Sequence, residues 1–197
     1  MYNEVKYRVD HGIAAINRPE KYRMSFEGLA PWHSLSFLDS LADRGWNFVC
    51  ESAYSPGRPF TVDLTGVSDP VERYVRKRYR SLDKVIDQEF EPKEAAEVKE
   101  EIMREGSSNR LRLRHVREYQ CDGVVLHVLL SCRSASSGLS LFADQLLDMY
   151  KVPSLIIEGD IIDTSLFNPV ESLKKAEAFE DTMDHYKKVR KELGFEW

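Results

Sequence analysis

Paired metal-ligand motifs, phosphate-cradling glycines and a membrane-length apolar run are all missing from this chain, and cysteine is scarce. The three cysteines, Cys50, Cys121 and Cys132, are odd in number and far apart, which excludes a disulfide framework. No CxxC or HExxH occurs, and His11, His33, His115, His127 and His185 are scattered, so the sequence holds no self-contained metal motif. No glycine-rich loop ends in Lys-Ser/Thr and no GxGxxG follows a strand, so any ATP used is bound by another protein. The longest apolar run, 123–132, is too short to span a bilayer and carries His127. Residues 1–10, "MYNEVKYRVD", put charges where a signal peptide needs an apolar core, and the chain reads as cytoplasmic. Basic charge is not in surplus either. With 28 basic and 33 acidic side chains the net charge is −5, which argues against a general nucleic-acid or membrane-surface binder.

What is present suits one good-sized core, or at most two small ones: 197 residues, 42% of them hydrophobic. Strand-like and helix-like patterns alternate. Tyr22–Glu27 reads as a short strand, and a helix from about His33 to Asp43 follows, with Leu35, Leu38, Leu41 and Ala42 as its stripe and Gly45 as its stop. "WNFVCESAY" (46–54) is a second strand, and the Pro/Gly-rich piece 55–70 is a loop ending in the helix-start signal Ser68-Asp69-Pro70. Helical spacing marks 71–87, 92–106 and 107–120; the middle segment is highly charged, as a solvated face is. A buried strand at 123–131 leads through a small-polar loop into a helix at 139–150. A strand at 152–163 and a helix after Pro169 complete the chain, the latter with Leu173, Ala176, Phe179, Met183, Tyr186 and Leu193 at helical spacing.

Continuous aliphatic strands separated by helices predict an α/β domain with an open, mainly parallel sheet covered on both faces. Right-handed crossovers place every strand's carboxyl end on one edge, where ligands bind in such sheets. Cys132, Arg133, Glu158 and Asp160 fall at that edge, as does the loop "GLAPWHS" (28–34) with Trp32 and His33. Cys132 is either a small buried residue closing a strand, or a nucleophile or thiolate ligand. Cys121 lies at the opposite end of the same strand, so the two share no metal; Cys50 either approaches the edge or points into the core. His127, mid-strand, is a core histidine. Trp32 is open between a pocket wall and a staple on the helix start. Nine basic residues in "ERYVRKRYR" and "NRLRLRHVRE" fit either a phosphate-bearing tail such as coenzyme A or two solvated faces.

Three stretches, "EVKYRVDHGIAAINRPEKYRMSFEGLAPWHSL", "EYQCDGVVLHVLLSCRSASSG" and "VPSLIIEGDIIDTSLFNPVESLKKAEAFEDTMDHY", resemble the benzoyl-CoA reductase/2-hydroxyacyl-CoA dehydratase family over nearly the whole chain. The RVDHGIAA start and the HVLLSCRSASSG wording look closer to benzoyl-CoA reductase subunits. The resemblance implies a flavodoxin-like half of the dehydratase subunit fold, with residues 1–197 as one α/β domain matching the family's C-terminal cluster-binding half and the N-terminal half absent. It implies a [4Fe–4S] cluster with Cys132 as one ligand and two further cysteines from that other half. Ser131, Arg133, Trp32, His33, Glu158 and Asp160 are then the expected substrate-binding residues, and no catalytic residue is assigned. The implied partners are an acyl-CoA substrate, a homologous cluster-binding subunit, ATP-hydrolysing electron-activating subunits and a low-potential ferredoxin upstream. The implied activity is ATP-coupled electron transfer to an aromatic acyl-CoA such as benzoyl-CoA. Two alternatives stand beside it: 2-hydroxyacyl-CoA dehydration through a ketyl radical, and a non-catalytic accessory domain that binds a cluster-bearing subunit.

Overall fold

The computed structural model describes residues 1–13, 18–51, 64–78, 92–93, 95–97 and 110–197. Four apolar stretches form its strands: β1 (Tyr22–Glu27), β2 (Trp46–Glu51), β3 (Gly123–Leu129) and β4 (Ser154–Gly159). All pair in parallel, in the order β2-β1-β3-β4. The α/β class with an open parallel sheet therefore holds. After β1 the chain adds β2 on one side, then returns across β1 to place β3 on the other. The carboxyl ends of β1 and β3 therefore flank the switch point where such sheets take ligands.

The chain divides into two compact units, one of Met1–Tyr54 with Leu111–Trp197 and the other of Ser55–Arg110. In the first unit β3 alternates sides with period two, as a strand buried on both faces must. Val125 joins Met24, Phe26, Phe37, Leu41 and Trp46 on one face, beneath the helices α2 (Leu35–Asp43) and α7 (Pro169–Glu192). Val124 and Leu126 join Leu113, Val116, Phe142 and Leu146 on the other, beneath α4 (Arg110–Glu118) and α6 (Leu139–Tyr150). Gly123 lets α7 come close, since a Cβ there would lie 2.7 Å from Met183 Sδ. In the second unit α3 (Pro70–Arg78) starts at Asp69, whose carboxylate accepts from the Val71 amide at 2.9 Å.

Several expectations shift in detail. The helix expected from His33 begins as a 3₁₀ turn, Trp32–Ser34, before α2, and buries Phe37 and Leu41 while Leu35 stays exposed. The 123–131 strand ends at Leu129, and the 152–163 strand spans Ser154–Gly159. Of the expected helix 92–106, residues 92–93 and 95–97 are helical; its remainder, residues 79–87 of the preceding helix, residues 52–54 of the second strand and most of the 55–70 loop lie outside the described residues. No apolar pattern announces α1 (Tyr2–Asp10), which buries no residue and is laced by Lys6–Asp10 and Arg8–Glu4 pairs. No described helix is long and apolar enough to cross a membrane.

Candidate functional site

At the switch point, β1 leaves the sheet through Gly28, whose φ of +99° and whose hypothetical Cβ, 2.7 Å from the His127 carbonyl oxygen, both require glycine. The next carbonyl, Leu29 O, accepts a hydrogen bond from His127 Nδ1 at 2.5 Å, which ties the loop after β1 to the middle of β3. With Nδ1 as donor, Nε2 carries the lone pair of a neutral ring; it is buried without a partner, against Gly159 and Phe167. Burial lowers the His127 pKa below its ordinary value. This core histidine is satisfied at one nitrogen only.

β3 exits at Leu129 into a tight turn, and Cys132 opens the one-turn helix α5 (Arg133–Ser136) in place of the soft loop expected there. The Cys132 amide donates to Leu129 O at 3.2 Å, and its carbonyl accepts from the Ala135 and Ser136 amides. Ser136 folds back onto the strand end: its Oγ accepts from the Leu129 amide and donates to the Leu129 carbonyl, both at 2.8 Å. On the other side of Cys132, the Ser131 amide donates to Asp160 Oδ2 at 2.9 Å. Oδ1 of the same carboxylate accepts from the Ile162 amide at 2.8 Å and the Asp163 amide at 3.3 Å. Donation from the Ser131 hydroxyl, and from the Ile162 and Ser131 amides, holds the Asp160 carboxyl far below the usual carboxylate range. The Asp160 carbonyl accepts from His33 Nε2 at 2.8 Å.

The expected site residues therefore share one edge but differ in kind. Trp32, 56% exposed, and Ser131, Arg133 and Glu158 are open to solvent, and Cys132 is half-buried. His33 is exposed and tied to Asp160, which is itself fully buried. Sequence reasoning missed Glu27, the residue that closes β1. It is 2% exposed, accepts from Ser25 Oγ at 3.1 Å and lies 3.6 Å from Arg112 Nε. A charged residue closing an apolar strand just before glycine was the available signal. Arg112 is one of the arginines considered for phosphate; among the others, Arg114 pairs with Glu118 and Arg73 donates to Leu64 O and Val67 O. An open depression of about 600 Å³ lies in the second unit, along Leu64–Ser68 and Arg73; of the residues considered for ligand binding it holds Arg73 alone, and none of those at the sheet edge.

A family model described as 2-hydroxyglutaryl-CoA dehydratase, D-component, matches residues 1–182. The chain belongs to that family. No curated protein matches it. It is accordingly a component of the 2-hydroxyacyl-CoA dehydratase type, in a family that includes iron–sulfur subunits and acts on acyl-CoA thioesters within hetero-oligomers.

The cysteines can be tested against such a cluster. Cys50 does not turn toward the edge: its Sγ lies 3.8 Å from Cys121 Sγ, and both pack in the core beneath α4 and α6. That contact lowers the Cys50 pKa and raises that of Cys121. Cys121 precedes β3 and Cys132 follows it, so the seven strand residues alone separate them by about 23 Å at ~3.3 Å each. Among the described residues no group of three or more His, Cys, Asp or Glu side chains could hold a metal ion. The chain fits a cluster as the donor of one thiolate, Cys132, and not as the owner of three.

Proposed function

We propose that this chain is the acyl-CoA-facing component of a 2-hydroxyacyl-CoA dehydratase-type complex and gives Cys132 as one thiolate to a [4Fe–4S] cluster. The observation that carries this reading is a half-buried thiol, braced on both sides, at the switch-point edge of a chain from this family. The other two thiolates belong to a segment or homologous subunit outside this sequence, so that residues 1–197 act as the C-terminal cluster-binding half of the unit. When bound, such a cluster supplies one-electron chemistry at low potential and an iron with an open coordination position.

The chain's own residues do the rest. Trp32 offers an aromatic wall to the acyl group, while Ser131 and Arg133 present donors beside the thiol, suited to a thioester oxygen or a phosphate. Glu158 closes the rim, and His33 and Asp160 hold the loops from behind. Loss of water across C2–C3 of a 2-hydroxyacyl-CoA is redox-neutral, so an electron lent to the thioester is returned at the end of the cycle. ATP hydrolysis falls to a separate electron-activating subunit fed by a low-potential ferredoxin, since this chain has no phosphate-binding loop of its own. The compartment that fits this chemistry is the cytoplasm.

A second reading, reduction of an aromatic acyl-CoA such as benzoyl-CoA, is favoured by the RVDHGIAA and HVLLSCRSASSG wording. The test is to purify the native complex without oxygen, count iron and acid-labile sulfide, and repeat with Cys132→Ser. Loss of one cluster supports the role of Cys132; benzoyl-CoA and a 2-hydroxyacyl-CoA, assayed side by side, then choose the branch. Unchanged iron and activity overturn the proposal and leave a non-catalytic accessory domain.

A further inference from the structure

We infer that Asp160 is a positioning residue that fixes the Cys132 thiol by clasping the loops after β1, β3 and β4 together. An aspartate with no exposed surface costs free energy unless its charge is fully hydrogen-bonded, and Asp160 is. Oδ1 caps its own turn through Ile162 and Asp163, a common local habit of aspartate. Oδ2 does something the turn does not need: it crosses to the Ser131 amide, 29 residues away and next to Cys132, at 2.9 Å. The Asp160 carbonyl extends the clasp to His33, next to Trp32. Ser136 ties the far side of the turn to Leu129, so the backbone of Cys132 stands between two braces.

Charge-assisted bonds from a carboxylate to amides are short and directional. Asparagine cannot replace them, because it offers one acceptor oxygen and would turn an N–H donor toward an amide donor. The effect on iron rests on the role proposed above for Cys132; the effect on the thiol itself does not.

The test is the alkylation rate of Cys132 by iodoacetamide in the full-length chain, followed by peptide mass spectrometry with Cys50 as the internal reference. Asp160→Asn is expected to alkylate Cys132 about tenfold faster, the consequence of losing one charge-assisted hydrogen bond, with the Cys50 rate unchanged. Ser131→Ala, at an exposed residue that removes only the hydroxyl donor, is expected to accelerate it by about threefold. Because both changes cut the same clasp, the double variant should react no faster than Asp160→Asn alone. A folded Asp160→Asn whose Cys132 reacts within about twofold of the parent overturns the inference, as do single effects that simply multiply. If Asp160→Asn unfolds, with all three cysteines reacting alike, Ser131→Ala decides, and a parental rate there overturns it. In the assembled complex Asp160→Asn should release iron faster than the parent on dilution. Should Cys132→Ser keep its iron, the cluster reading fails, while the alkylation result still decides the clasp.

Discussion

His127 shows what one side chain contributes when its two nitrogens meet different surroundings. Nδ1 donates to Leu29 O and fastens the loop after β1, while Nε2 lies dry against Gly159 and Phe167. Protonation would place a charge on Nε2 where no acceptor waits, which is why burial lowers its pKa. The sign of the linkage follows. Below the ordinary value of 6.5 the unfolded chain binds a proton that the folded chain refuses, so stability falls as pH drops through that window. The limiting slope for one such group is about 1.4 kcal/mol per pH unit. Urea midpoints should therefore decline from pH 7 toward pH 5. His127→Asn, whose amide can still donate to Leu29 O, should flatten that decline at some cost in absolute stability. Asp160 acts in a separate range: its depressed pKa adds stability that is present above the ordinary 3.8 and lost only as pH falls further. An unchanged slope in His127→Asn would mean that the acid sensitivity lies in another group.

At the scale of elements, α7 shows how a helix whose buried apolar stripe stops short of its end is held. Its start is capped by Asn168, whose side chain accepts from the Val170 and Glu171 amides at 3.1 Å, with Pro169 in the first turn. Ala176, Phe179 and Met183 pack on the sheet. The last turns are fastened by charge instead: Arg190, with no exposed surface, donates to Asp122 Oδ1 at 2.9 Å and Lys151 O at 3.1 Å. Burial lowers the guanidinium pKa and Asp122 opposes the shift. Asp122→Ala strands a buried guanidinium and should cost about 3–5 kcal/mol in urea unfolding. Arg190→Met should cost roughly half as much or less, because Asp122 keeps Lys187 at 3.1 Å and the Arg23 amide at 3.0 Å. Equal costs would mean that Lys187 and the Arg23 amide do not compensate Asp122 once Arg190 is gone. The sequence pattern already contained β1 and α6 to the residue, since the apolar side chains that mark them, Tyr22, Met24 and Phe26 in β1 and Leu139, Phe142 and Leu146 in α6, are buried; β1 buries Ser25 and Glu27 as well, which the pattern did not show. Arg190 was not legible, because an arginine in a helix reads as solvated unless its partner 68 residues away is known. The same holds for the site. Strand ends placed Cys132 and Asp160 on one edge, whereas the Asp160–Ser131 clasp and the Cys50–Cys121 contact join residues 29 and 71 positions apart, which no local pattern encodes. α1 was silent for the opposite reason: it buries nothing, so it leaves no apolar signature.

At the scale of the whole molecule the cysteines set a rule of stoichiometry. One thiol stands at the carboxyl edge, and the other two are spent on each other in the core at the far end of β3. A cluster held by three thiolates gathers them around a single cube of iron and sulfur, and a sheet strand about 23 Å long cannot be folded away to bring them together. The chain incubated alone with ferrous iron and sulfide under anaerobic, reducing conditions should therefore stay colourless. The polypeptide carrying two further edge cysteines should bring out the brown chromophore, at one cluster per pair, and Cys132→Ser should abolish it. Cys50→Ser tests the same rule from the other side. It should leave cluster formation untouched and act only on stability, because Cys50 packs beside Cys121 under α4 and α6. A chain that turns brown alone and loses its colour with either Cys132→Ser or Cys50→Ser would show that β2 can turn its cysteine to the edge, and the site would then belong to this chain alone.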